Sequence, residues 1–263
     1  MKSSTWVVGS LLELLYPERC TLCETEHRPD LWFPRGDQVP GLRIWDGTHL
    51  CLACAAGLGT GYVRGELGPV HSGGIQVTAA VPTNPDLVKL VGQFKYHGLR
   101  GLAWPLARLL RAPLAAACEG SGVVDALVPV PLHSRRKRVR GFNQAEILAR
   151  LLALDGKIPV VTDILTRHRN TSQQAKITSP CERRRNLAAS FKVRPPAATW
   201  PEGGSSPNRI GLVDDLVTSG WTAASAAESL SEKGWDVRWV LALGFALETK
   251  NTSPRVDTLE RGF

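Results

Sequence analysis

The residues best placed to do chemistry together are two adjacent carboxylates, Asp214 and Asp215, and the small residues Thr218, Ser219 and Gly220 that follow. An apolar run, Ile210 to Val213, precedes them and is long enough for one buried strand. An alanine-rich segment follows, with Ala223, Ala226, Ala227 and Leu230 at the spacing of one helical face and Gly234 where a C-terminal cap belongs. Strand, acidic pair, small-residue loop and helix start together describe a phosphate site. The loop backbone can aim several N–H groups at an anion, and the helix dipole adds partial positive charge. In open α/β sheets ligands gather beyond the carboxyl ends of strands, which puts both aspartates beside that phosphate. An anion site has its own reason to avoid carboxylates, so the pair implies hydroxyls or a divalent cation to hold. A sugar phosphate with a vicinal diol and bound Mg2+ meets both needs.

Six cysteines supply the second chemistry. Cys20-Thr-Leu-Cys23 and Cys51-Leu-Ala-Cys54 are two C-x2-C pairs, the spacing at which a tight turn presents two thiolates to one ion. Together they complete a tetrahedron, and the expectation is structural zinc with closed coordination and no catalysis. His27 and His49 in the intervening loop are spare donors, whereas Cys118 and Cys181 stand alone and read as packed thiols.

The third chemistry is cationic. Val128-Pro-Val-Pro131 ends a strand and leads into Arg135, Arg136, Lys137, Arg138 and Arg140, then a helix beginning near Asn143, whose spacing to Glu146 is that of a capping box. Such a run is usually a solvated face. At a strand end it is also where a pyrophosphate would sit, with Arg135 and Arg136 first after the turn. A further basic stretch, from Arg167 to Lys176 and on through Arg183, Arg184 and Arg185, reads equally as a lid or a surface loop.

These groups need a scaffold. With 263 residues, 43% hydrophobic, the chain can bury a core, and its formal charge of +8 allows an anionic partner. No apolar run approaches the ~18 residues of a membrane span, and Glu13 with Tyr16-Pro17 makes Trp6 to Leu15 an amphipathic helix rather than a signal peptide. A cytoplasmic protein is expected. The predicted organisation is an N-terminal helix and zinc ribbon over residues 1–60, a glycine-rich connection from Gly57 to Gly74, an α/β domain over 75–248 and a flexible tail over 249–263. Within the domain, strands are expected at Gln76 to Val81, Val123 to Val130, Ile210 to Val213 and Asp236 to Phe245. Helices are expected at Pro85 to His97 and Leu102 to Leu114, and Arg194 to Asn208 reads as an exposed insertion.

Val213-Asp-Asp-Leu-Val-Thr-Ser-Gly-Trp-Thr222 resembles the phosphoribosyl pyrophosphate (PRPP) motif of type I phosphoribosyltransferases. That resemblance implies a parallel sheet flanked by helices, with Asp214 and Asp215 on the ribose hydroxyls and as the catalytic candidates. It puts the 5′-phosphate in the loop of Leu216, Val217, Thr218, Ser219, Gly220, Trp221 and Thr222. Trp221 departs from the family, which has a small residue there.

The ordered set of two C-x2-C pairs, Lys95-Tyr96-His97-Gly98, Val128-Pro-Val-Pro131, Arg135-Arg136, Gly141-Phe-Asn-Gln144, Thr171-Ser-Gln173 with Arg184 and Asn186, and the acidic motif resembles the ComF (ComFC-type) competence family over nearly the whole chain. The resemblance implies uptake of single-stranded DNA in natural transformation, with other DNA-uptake proteins such as a helicase as partners. The nucleic acid would lie on Arg135, Arg136, Lys137, Arg138, Arg140, Arg183, Arg184 and Arg185. A second reading is a salvage phosphoribosyltransferase with a zinc ornament. That enzyme needs a base pocket and a water-excluding hood, whereas a DNA binder needs a cationic groove with stacking aromatics. Aromatic residues make up only 6% of the chain, a weak stacking signal.

Overall fold

The computed structural model describes residues 19–26, 49–59, 61–70, 73–156, 158–168, 190–195 and 208–246. The amphipathic segment Trp6 to Leu15, His27, the basic run Arg183 to Arg185, Cys181, most of the insertion and the tail lie outside the described residues.

The body is a mixed, mostly parallel sheet built from β1 (Val63–Val70), β2 (Gly73–Pro82), β3 (Ala126–Pro129), β6 (Arg209–Val213), β7 (Leu216–Val217) and β8 (Asp236–Phe245). Its order is β1-β2-β8-β6-β3, with β7 also paired to β8. All neighbours are parallel except β1, which closes one edge antiparallel to β2. A separate two-stranded ribbon joins β4 (Leu165–Arg167) to β5 (Phe191–Val193).

Strand β8 is buried without interruption from Trp239 to Phe245, as a central strand covered on both faces must be. Its side chains alternate between two cores. Trp239, Leu241 and Leu243 pack on one face with Leu127 and Val213, whereas Val240 and Ala242 pack on the other with Val128 and Leu212. The first face is covered by α2 (Pro85–Tyr96), α3 (Ala103–Leu109), α4 (Arg111–Ser121) and α6 (Gln144–Gly156). The helix α7 (Trp221–Ser231) covers the second through Ala223, Ala226, Ala227 and Leu230. Helix α2 buries Leu87, Leu90, Val91 and Phe94, one face at helical spacing, and starts at Asn84, whose side chain accepts from Leu87 N at 2.8 Å.

Three expectations are refined. The glycine-rich connection of Gly57 to Gly74 is largely strand β1, because Gly65 is a packing residue rather than a hinge. A Cβ there would lie 2.1 Å from the Phe245 ring, so the ring fills the space that the missing side chain leaves. The cation run, given no secondary structure from the sequence, is helical. It forms α5 (Ser134–Arg140), stopped by Gly141 in the left-handed conformation at φ 77°. The helix expected from Leu102 to Leu114 is likewise split, into a 3-10 turn at Arg100–Leu102 followed by α3 and α4.

Candidate functional site

The ladder of the sheet continues past the strand ends and fixes the site loops. Val130 N donates to Val213 O at 2.8 Å, Asp214 N to Leu241 O at 2.9 Å, and Leu243 N to Asp215 O at 3.0 Å. The acidic pair is therefore set by two backbone bonds to β8, one to Leu241 and one to Leu243. Asp215 is buried, and its Oδ1 accepts from Leu216 N at 2.7 Å and from Lys95 Nζ at 2.8 Å. Asp214 is half-buried, and its Oδ1 accepts from Asp215 N at 2.8 Å.

Beyond the pair the chain turns at Gly220, with φ 72°, into α7. A Cβ at Gly220 would meet Leu67 Cδ2 at 2.2 Å, so this position is reserved for glycine by both backbone and space. No side chain caps α7 and no acidic residue sits in its first turn, a helix start whose dipole and N–H groups favour an anion.

The two loops enclose one cleft of roughly 220 Å3. The loop from Asp214 to Ala223 forms one wall, and Lys95, Tyr96, Val130, Pro131, Leu132, Arg136, Arg140, Asn143 and Arg167 complete it. Four cations face two carboxylates, so the cleft suits an anionic ligand. Helix geometry sorts the cation run. Arg136 and Arg140, four residues apart on α5, line the cleft, whereas Arg135, Lys137 and Arg138 are exposed to solvent. Arg183, Arg184 and Arg185 lie outside the described residues.

Four cleft residues, Lys95, Tyr96, Asn143 and Arg167, are not among the ligand-binding residues expected from the sequence. Lys95 and Tyr96 sit in a tetrapeptide read as a helix end and as one of the motifs of the family resemblance. Asn143 was expected as a cap, yet its Nδ2 donates to Val130 O at 3.1 Å and ties α6 to the end of β3. Arg167 ends β4 with its guanidinium 5.5 Å from the Phe191 ring centre, across the ribbon. Burial and the neighbouring Arg136 lower its pKa, while Asp214 opposes that shift.

Burial and the Asp215 carboxylate push Asp214 up to about 7, against the opposing pull of Lys95 and Arg167. Its folded-state pKa lies above the unfolded value, so the folded protein binds the extra proton between about pH 4 and 7. Stability from this group is therefore greatest at acid pH and falls as pH rises through 7. Asp214→Asn keeps the acceptor oxygen and removes the charge. The variant is expected to melt several degrees above the parent at pH 8, with the gap closing towards pH 5. A gap that is constant across this range in thermal melts would show Asp214 ionising normally.

The second centre is the cysteine cluster. Cys51 precedes α1 (Leu52–Gly57) and caps it, its Sγ accepting from Cys54 N at 3.4 Å. Cys51 N donates to Cys20 Sγ at 3.5 Å, and left-handed Glu24 and His49 turn the two flanking loops. The sulfurs of Cys20, Cys23, Cys51 and Cys54 all lie within 4.8 Å of one another, and Cys23 and Cys51 are 3.8 Å apart. A tetrahedron with metal–sulfur bonds of ~2.3 Å has edges of about 3.8 Å, so the four thiols fit one metal ion. Hydrogen bonding by Thr25 lowers Cys23 to about 6, while burial pushes Cys51 and Cys54 up. A cation among them would offset the cost of ionising the buried thiols. His49 is not part of the group. Burial raises the pKa of Cys118, as suits a packed thiol.

Among the described residues no helix is long and apolar enough to cross a membrane. No family model matches the chain. It is 34% identical over 152 residues to the DNA utilization protein YhgH of Salmonella typhi, covering 57% of this chain and 63% of that protein. Competence protein F of Haemophilus influenzae matches at 30% over 147 residues, covering 55% of this chain and 62% of the relative. Competence protein ComFC of Bacillus subtilis matches at 30% over 110 residues, covering 41% and 39%. The chain thus spans less than two thirds of the length of these relatives. Over the region it shares with them, the chain is similar to proteins named for DNA utilization and competence.

Proposed function

We propose that this protein binds PRPP with Mg2+ in the cleft, carries single-stranded DNA on its cationic face, and acts in bacterial DNA uptake. The observation that carries the reading is the meeting of an acidic pair and an uncapped helix start with Arg136, Arg140 and Arg167 across one cleft. In this reading the 5′-phosphate takes backbone N–H groups between Thr218 and Thr222, and the ribose hydroxyls donate to Asp214 and Asp215. Arg136 takes the pyrophosphate. Mg2+, held by the phosphates beside the acidic pair, offsets their charge. The cysteine cluster holds Zn2+ as a structural ion. The role in DNA uptake comes from relatives whose names speak of DNA utilization and competence. Calorimetry of the protein with PRPP and MgCl2 tests the central claim, and an absence of binding heat at millimolar PRPP would end it.

Asp214 also keeps the salvage-transferase reading in play, because a carboxyl titrating near 7 is matched to proton transfer at neutral pH. PRPP turnover measured across nucleobases, with and without single-stranded DNA, separates the two.

The exposed cations of α5 make a further prediction. Each neutralised phosphate contributes about 0.7 to the salt slope of single-stranded DNA binding. Arg135→Ala with Arg138→Ala should therefore lower that slope by about 1.4 and weaken binding at low salt. Fluorescence anisotropy across a salt series is the measurement. A slope equal to the parent's would remove α5 from the interface.

A further inference from the structure

The tetrapeptide Lys95 to Gly98 closes α2, and the cleft reading uses only its lysine. Tyr96 lines the same cleft and is 71% exposed, the reverse of the usual economy for so large an apolar ring. The ring is nevertheless held. The Arg140 guanidinium lies 4.8 Å from its centroid, and Arg140 Nη2 donates to the Tyr96 hydroxyl at 3.1 Å. Arg140 Nη1 in turn donates to Oε1 of the fully buried Gln144 at 3.4 Å. Behind the ring, the Lys95–Asp215 pair and the backbone bond from His97 N to Gln93 O anchor the last turn of α2. A planar cation thus covers part of the tyrosine, and the rest of the ring is presented to solvent at the cleft. The neighbouring stack of Arg100 on Phe142 differs, because Phe142 is buried and offers no open face.

We infer that Tyr96 is a stacking platform for a nucleobase, with Arg140 fixing the ring and extending the π-surface. This rests on the sugar-phosphate reading of the cleft, and it assigns the site a class of ligand that the phosphate loop and acidic pair do not select. A base has two apolar faces, and stacking on an aromatic ring is sequence-tolerant because every base has such a face. Arginine reinforces the stack through its flat, weakly hydrated guanidinium. Cations alone would hold phosphates and ignore the base, so the presence of the ring predicts discrimination that charge cannot supply. The base is supplied either by a single strand crossing the cleft mouth or by a free nucleobase beside a bound sugar phosphate.

The test compares the full-length protein with Tyr96→Ala and Tyr96→Phe in three titrations. These use an oligodeoxythymidylate against an abasic strand of equal phosphate number, free nucleobases with PRPP and MgCl2, and PRPP with MgCl2 alone. The parent is expected to prefer the base-bearing strand by about tenfold. Tyr96→Ala should bring that strand down to the abasic level, leave the affinity for the abasic strand within twofold, and lose any free-base binding. Tyr96→Phe should retain the preference. Base dependence seen only with free nucleobases assigns the platform to an acceptor rather than a strand. Equal affinity of the parent for both strands together with no free-base binding overturns the inference, as does a preference that survives in Tyr96→Ala. The PRPP titration of the parent tests the cleft reading by itself, so failure of that reading and failure of the platform are distinguishable.

Discussion

Replacing Asp214 and Asp215 together with alanine is expected to weaken PRPP binding at least about a hundredfold, because each charge-assisted bond to a ribose hydroxyl contributes roughly 1.5–3 kcal/mol and 1.4 kcal/mol is tenfold. The geometry sharpens what else should change. Asp215 Oδ1 is already engaged by Lys95 and Leu216 N, so this carboxylate is held in place before any ligand arrives. Asp214 is the strained partner, kept close to its neighbour and pushed up to about 7. Removing both carboxylates relieves that repulsion but strips Lys95 of its counter-ion, and the two effects on stability oppose each other. The loss of PRPP affinity should therefore appear without a comparable loss of melting temperature. Metal content should be unchanged, and single-stranded DNA affinity unchanged or slightly raised, since two negative charges leave the cleft. Calorimetry on the parent and the double variant decides it. Equal PRPP affinity in both would mean that the motif has kept its fold and lost its ligand.

Cys51→Ser should have the second large effect. Cys51 is at once a thiolate ligand candidate, the cap of α1 and the backbone donor to Cys20 Sγ. Structural zinc sites contribute roughly 10–16 kcal/mol to the folding of small domains, and loss of one ligand of four forfeits a large part of that. Cys20, Leu50, Cys51, Ala55 and Leu58 also belong to the same buried cluster as Leu87 and Leu90 of α2. Loosening the cluster therefore uncovers part of the main core. The expected outcome is a drop in melting temperature of about 10 °C or more, loss of stoichiometric zinc, and rapid proteolysis within residues 19–58. The sheet and its cleft should persist, with PRPP affinity within a few-fold of the parent. Atomic absorption that finds no zinc in freshly reduced parent protein would refute the zinc assignment. A variant that melts with the parent would show that the metal contributes little to the fold.

Much of this was legible along the chain. The strands at Arg209–Val213 and Asp236–Phe245 and the helix at Pro85–Tyr96 carry their own periodicity, caps and apolar runs, and these are near-neighbour effects. The same holds for the grouping of the four cysteines, because C-x2-C spacing brings each pair together within one turn. The loop from Asp214 to Gly220 could be read as an anion site because strand, turn and helix start are contiguous.

What the chain order could not show is what comes from elsewhere to complete the site. Lys95 and Asp215 are 120 residues apart, and only the parallel packing of β2, β8 and β6 brings the end of α2 to the acidic pair. Arg135 and Arg136 were equivalent candidates by position. The folding of Ser134–Arg140 into a helix separates them, turning Arg136 and Arg140 inward and Arg135 out. Gly65 read as linker because a glycine's meaning depends on what packs against it, here the Phe245 ring from two strands away. Each of these rests on contacts between distant segments, whose free energy appears only when the whole sheet is assembled, whereas propensity and spacing act within a few residues.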